Sequence, residues 1–207
     1  MSTPAETAAA ETVAAPPAAD PAPLGLAAFA LTTFLLSADN AGWMKNAVGA
    51  AWLGYAFAYG GLGQLLAGMW EFRNGNVFGA TAFSTYGGFW IGLGLWALLV
   101  PDAAKGKDVG WILLAFAIFN TYMLLWSTQL NTAVFLVFLT LELTEIVLFI
   151  GVLGGNASIV KVGGYIGILT ALVAWYTSAA GVGAGVTGRP ILPVGKPLLT
   201  LPGGASS

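Results

Sequence analysis

The chain has 207 residues, of which 57% are hydrophobic and only 8% charged, and its mean hydropathy is +0.82. A soluble domain carries roughly a quarter charged residues, so this composition excludes one and predicts a single polytopic membrane unit with short tails. There is no cysteine and no histidine, which excludes thiolate catalysis, disulfides and imidazole metal sites. No metal or cofactor is expected, and the net charge of -2 gives no reason to expect a nucleic-acid partner.

Residues 1–20 form an Ala/Pro/Thr/Glu segment with no Lys or Arg, read as a disordered tail and not as a signal or transit peptide. Six apolar stretches follow, and together they define a transmembrane domain over residues 21–182. The first begins at Pro21 and Pro23, where proline suits a helix start, and covers residues 24–38 before Asp39, Asn40 and Lys45 break the run. The second covers 47–70 and the third 79–100, separated by the turn-forming residues 71–76. The fourth covers 110–127, the fifth 133–155 and the sixth 159–181, and residues 183–207 form a Pro/Gly-rich tail. The fold expected is therefore all-α, a bundle of six transmembrane helices in a lipid bilayer.

Six crossings put both termini on one side. The positive-inside rule does not say which, because Arg73, Arg189 and Lys196 on that side face Lys45, Lys105, Lys107 and Lys161 on the other. The pairs Gly88/Gly92, Gly151/Gly155 and Gly163/Gly167 have small-xxx-small spacing, which serves either packing within the bundle or contact between subunits. Thr32, Thr33, Gln64, Ser84, Thr85, Asn120, Thr121 and Thr144 lie within spans, where each needs an internal hydrogen-bond partner or a water-filled path.

The fifth span carries two carboxylates, Glu142 and Glu145. A charge at the bilayer centre costs on the order of 3 kcal/mol on insertion scales, so this pair needs a reason. Three apart on a helix, the two project within about 60° of each other and can share a cavity or a proton. They either serve an ion or proton route or bond an adjacent helix.

Longer stretches carry a resemblance. Asp20-Pro-Ala-Pro-Leu-Gly-Leu26, Glu71-Phe-Arg-Asn-Gly-Asn-Val-Phe-Gly79, Thr81-Ala-Phe-Ser-Thr-Tyr-Gly-Gly-Phe-Trp90, Gly154-Gly-Asn156 and Gly188-Arg-Pro-Ile-Leu-Pro193 are similar, in this order, to the acetate uptake transporter family, the succinate-acetate permeases. The resemblance implies a homohexamer of six-helix protomers in the plasma membrane with cytoplasmic termini. Each protomer would have its own path for acetate or similar short carboxylates, with transport either associated with protons or channel-like. A hydrophobic constriction maps by motif onto Phe29, Tyr86 and Leu141. Two positions depart from the pattern: Asp20 replaces an asparagine, and acids are not expected where Glu142 and Glu145 stand.

The sequence thus predicts a permease and not an enzyme, with a dry waist at Phe29, Tyr86 and Leu141. Asn40, Ser84, Thr85 and Asn120 are expected beside the path, and Glu142 and Glu145 are expected in proton coupling. If Leu141 faces the path, Glu145 faces it one turn away and Glu142 is turned about 100° aside. Three large waist residues favour small acids over dicarboxylates such as succinate. The alternatives are a proton or cation pathway through Glu142 and Glu145, or a non-transporting membrane scaffold or sensor.

Overall fold

A computed structural model describes residues 18–44, 51–102 and 106–200. The N-terminal segment read as disordered lies outside these residues up to position 17, as do Lys45 and Lys105 of the charge comparison. Among the described residues the secondary structure is helical throughout, with no strand.

Helix α1 (Ala22–Asn40) starts where Pro21 and Pro23 allow it, and the Asp20 carboxylate accepts the Ala22 N–H at 2.9 Å. It is longer than the apolar run that predicts it because Asp39 and Asn40 are accommodated in its last turn. The second span is not one uniform helix. It consists of α2 (Ala51–Phe57), a π-helical segment (Ala58–Gly63) and α3 (Gln64–Arg73). Neighbours press on the π segment: a Cβ on Gly60 would stand 2.5 Å from Thr32 Oγ1 of α1, and one on Gly61 would stand 2.6 Å from Ile91 of α4. Only glycine permits both approaches, and the wider π turn is a recurrent mark of functional helices.

Helices α4 (Val77–Leu99), α5 (Asp108–Ser127), α6 (Thr132–Gly154) and α7 (Ala157–Thr187) complete the bundle. At 1.5 Å per residue, the 23 residues of α4 or α6 reach about 35 Å, enough for the hydrocarbon core. Five helices are long and apolar enough to cross, and the second span is the exception because the π segment divides it. The six spans form a ring in which α5 packs on α6, α6 on α7, α7 on α1, α1 on the second span and the second span on α4. Contact between α4 and α5 is sparse, so aromatic side chains close the ring there.

Local chemistry explains the helix boundaries. Gly75 takes a left-handed φ of 73°, and Asn76 then caps α4 by accepting the Gly79 N–H at 3.1 Å. The Asn76 amide also donates to Glu71 at 2.9 Å, and Glu71 is only 1% exposed. Asn156 caps α7 by accepting from Ser158 and Ile159, but it is exposed and holds no buried group. We therefore expect Asn76→Ala to lower the thermal midpoint in detergent more than Asn156→Ala, which loses only a cap of about 1 kcal/mol. Equal losses would show that Asn76 does not support Glu71.

The three glycine pairs face different surroundings. Gly163 and Gly167 pack against Leu148 and Ser37 within the protomer, Gly151 packs against Val160 while Gly155 has nothing within 4 Å, and Gly88 and Gly92 both have nothing within 4 Å. The last span also differs from its prediction, since α7 runs on to Thr187 before Gly188 caps it with φ 69°. The tail beyond is laid across the bundle end. Tyr176 donates to the Pro193 carbonyl at 2.7 Å, Ala133 N–H to Val194 O at 2.9 Å, and Leu198 N–H to Thr128 O at 2.9 Å. The last two bonds use the open N–H of the α6 start and the open carbonyl at the α5 end.

Candidate functional site: a buried waist between two cavities

Phe29 of α1, Tyr86 of α4 and Leu141 of α6 meet in one buried cluster, with relative exposures of 4%, 3% and 6%. The rings of Phe29 and Tyr86 stand edge to face with centroids 5.9 Å apart. Phe116 and Phe119 of α5 surround Tyr86 from the other side, at 5.8 and 5.5 Å. Such tilted and edge-to-face aromatic packing holds a side chain in place without using its hydrogen-bonding groups.

Two cavities abut this cluster. One, of about 40 Å³, is lined by Thr33, Ser37, Asn40, Trp90, Thr144 and Glu145 among others, and lies toward the helix ends remote from the termini. The other, of about 30 Å³, is lined by Leu26, Gln64, Ala82, Phe83, Val137 and Phe138, on the side of the termini. Phe29, Tyr86 and Leu141 belong to both linings, and no other described residue does. A water needs about 10–15 Å³ measured this way, so each cavity has room for a few waters at most.

The two carboxylates have different environments. Glu142 is bonded at both oxygens, by Asn120 Nδ2 at 2.7 Å and Thr121 Oγ1 at 2.8 Å, and so ties α6 to α5. Glu145 lines the cavity with Leu141, one turn away on the same face. Its Oε1 lies 3.2 Å from the Tyr86 hydroxyl, and its Oε2 is buried without a partner. The Tyr86 hydroxyl also lies 3.1 Å from Asn120 Oδ1, so one phenolic proton faces two acceptors. Asn120 is fully buried and spends its amide N–H groups on Glu142 and the Phe138 carbonyl, at 3.0 Å for the latter. A single network thus runs from Glu142 through Asn120 and Tyr86 to Glu145, across three helices.

Asn40, expected beside the path, lines the Glu145 cavity, and Asn120 reaches the waist through Tyr86. Ser84 and Thr85 line neither cavity: Ser84 lies against Gly68 at the α3/α4 contact, where a Cβ on that glycine would meet its Oγ at 2.3 Å. One side chain that the sequence reading passed over is Trp90. It is 2% exposed, lines the Glu145 cavity, and its indole N–H has no partner. Its signal in the sequence is its place in mid-span, away from the interfaces where tryptophan finds polar company.

Fold and site define an all-helical integral membrane protein whose spans enclose a buried cluster of Phe29, Tyr86 and Leu141 between two small cavities. The chain belongs to the GPR1/FUN34/yaaH family, whose model matches residues 5–189. It is 40% identical over 192 residues to acetate permease A of Emericella nidulans, covering 83% of this chain and 64% of that protein. It is 36% identical over 178 residues to the succinate-acetate/proton symporter SatP of Escherichia coli K12, covering 84% and 93% respectively. The chain spans under two thirds of the fungal relative and nearly all of the bacterial one. Among solved structures, that of the bacterial acetate channel SatP superposes with a TM-score of 0.80 at 34% identity, over 86% of this chain and 99% of that one. The resemblance read from the sequence, and the all-helical membrane class, hold. These relatives are named as transporters or a channel, not as enzymes.

Proposed function

We propose that the protein is a permease for acetate and similar short monocarboxylates, with the path running through the bundle past Phe29, Tyr86 and Leu141. The observation that carries this reading is the pair of cavities whose linings share those three residues alone. A waist of two aromatic rings and a leucine makes hydrated ions shed water, which is costly, and passes small solutes that hold little of it. The relatives named for acetate transport support the substrate class.

Proton linkage is assigned to Glu145, which faces a cavity and keeps one oxygen free, with Glu142 as its neighbour and the anchor of Asn120. An ionised Glu145 beside the waist repels a carboxylate, and a neutral one does not, so uptake rises at acid pH. The assembly is assigned as a hexamer, for which the open face at Gly88 and Gly92 offers a close-approach surface. The termini are assigned to the cytoplasm and the protein to the plasma membrane, on the family's pattern.

Labelled acetate uptake into proteoliposomes, at acid and neutral pH and with or without an inward proton gradient, tests the proposal. Saturable, gradient-stimulated uptake is expected, and its absence in folded protein would refute it. A cation pathway is the second reading, favoured by an acid at the Glu145 cavity and no Lys or Arg among the described residues that line either cavity. Cation-carried current without acetate flux would select it. Leu141→Ala removes the aliphatic part of the waist and is expected to admit larger acids such as succinate, measured as the ratio of succinate to acetate uptake. An unchanged ratio would remove Leu141 from the gate.

A further inference from the structure

The bundle end on the side of the termini carries a cavity that the path does not use. The strap beyond α7, residues 188–200, is held across that end by Tyr176, Ala133 and Thr128, and the Thr132 hydroxyl donates to the Lys196 carbonyl at 2.8 Å. Between the strap and the outer faces of α6 and α7 lies a groove of about 380 Å³. Small-molecule sites span about 300–1,000 Å³, a range this groove reaches and the two waist cavities do not. Leu136, Leu172, Val173 and Pro193 make its walls apolar, and Leu136, Leu172 and Tyr176 are exposed, so it opens to the surroundings of the bundle.

Depth fixes what those surroundings are. Thr132 opens α6, whose length matches the hydrocarbon core, so it marks one membrane boundary, and Leu136, about 6 Å further along, lies inside it. Tyr176 stands at the same level, tied to Pro193, where tyrosine sits between headgroups and hydrocarbon. The strap presents Ile191, Leu198 and Leu199 exposed at this end, together with Arg189 and Lys196. Apolar side chains and cations exposed on one segment suit a headgroup layer and not bulk water. Charge then selects the headgroup. No Asp or Glu occurs between residues 109 and 141 or after Glu145, so the three segments that build the groove are free of acids. Lys196 directly follows Gly195 of the groove wall, and its side chain is exposed. Asp20 lines a different cavity, of about 210 Å³, between the strap and α1.

We infer that the groove is a binding site for one anionic phospholipid of the leaflet on the side of the termini, with an acyl chain along Leu136, Leu172 and Val173 and the phosphate at Lys196. This assignment is independent of what the bundle transports. Val194 lines both the groove and the Asp20 cavity, and Leu26 continues that cavity toward the one below the waist. A lipid seated in the groove therefore holds the strap that walls the approach to the waist.

The test uses the purified full chain in a nonionic detergent, titrated with phosphatidylglycerol or with phosphatidylcholine of the same acyl chains. Phosphatidylglycerol is expected to raise the thermal midpoint saturably, with one lipid retained per protomer in native mass spectrometry, and phosphatidylcholine to do neither. Lys196→Gln removes one cation at the leaflet surface and should weaken phosphatidylglycerol binding about fivefold. Leu172→Trp fills the groove from an exposed position and is expected to abolish the lipid shift while the lipid-free midpoint stays unchanged. Equal shifts from the two lipids, a wild-type titration in either variant, or the same shift from glycerol 3-phosphate alone would overturn the site. So would dissociation of the oligomer by Leu172→Trp with no lipid effect in the wild type, which would make the groove a contact between copies of the chain.

Discussion

Acetate uptake by Glu145→Gln is expected to continue but to lose its response to an inward proton gradient. The substitution keeps size and shape and replaces Oε1 or Oε2 by an NH₂ group. At Glu145 that change is tolerated, because only Oε1 is engaged, with Tyr86, and Oε2 has no partner to lose. The amide donates to a passing carboxylate as a protonated Glu145 does, so the variant imitates the neutral state permanently. The ratio of uptake with and without the gradient should fall to unity, and the rise of uptake at acid pH should flatten. Glu142→Gln makes the informative contrast. Both oxygens of Glu142 accept, from Asn120 and Thr121, so a glutamine fits only with its NH₂ toward Thr121, whose hydroxyl must then accept and give its proton to the Ala117 carbonyl 2.9 Å away. That variant is expected to lose thermal stability by about 1 kcal/mol, by weakening the bonds that tie α6 to α5, and to retain its gradient response. Proteoliposome uptake and a thermal melt in detergent, measured on both variants, separate the roles. A Glu145→Gln protein with a wild-type gradient response would remove Glu145 from proton coupling.

The largest expected loss of stability is in Gly164→Ala. A Cβ at Gly164 would stand 2.4 Å from Ala41 N, 2.7 Å from Ser37 O and 2.8 Å from Asn40 C. These are backbone atoms at the end of α1, so no side chain can swing away to relieve the contact. Alanine is worth about 1 kcal/mol over glycine by helix propensity, and overpacking against a fixed neighbour costs typically about 1–3 kcal/mol and more where backbone must move. Relief would require separating α1 from α7, and α1 carries Phe29, Thr33, Ser37 and Asn40 to the waist and cavity. Low yield, a lowered thermal midpoint and loss of acetate uptake are expected together. Gly185→Ala, on the same helix with nothing within 4 Å, should be neutral or slightly stabilising. A Gly164→Ala protein as stable as Gly185→Ala would mean that the α1/α7 approach is looser than described.

Membrane residence and the six spans follow from the sequence because they depend on apolar content and length, which any bilayer reads in the same way. The local punctuation is equally legible: Pro21 and Pro23 start α1, Gly75 and Asn76 turn the chain into α4, and Gly155 with Asn156 turns it into α7. The family is legible in longer motifs, and one of them, from Glu71 to Gly79, proves to be a turn and cap whose asparagine holds a buried acid. The π segment is not legible, since Ala58–Gly63 reads as ordinary helix and the glycines declare a close approach without naming the neighbour.

Which way each helix faces is a different kind of fact. In a soluble helix the polar face points to water and fixes the rotation, but these spans are apolar all round, and lipid and protein interior ask for the same residues. Glu142 and Glu145 could therefore be placed near each other from the sequence, and told apart only on the condition that Leu141 faces the path. Packing of α5 against α6 decided it, by bringing Asn120 and Thr121 to Glu142 and leaving Glu145 with one free oxygen at a cavity. The same holds for Trp90 and Thr33, which line one cavity with Glu145 only where α1, α4 and α6 meet, because proximity between residues 57 and 55 positions apart (33 to 90, 90 to 145) is a property of the assembled ring and not of any one span.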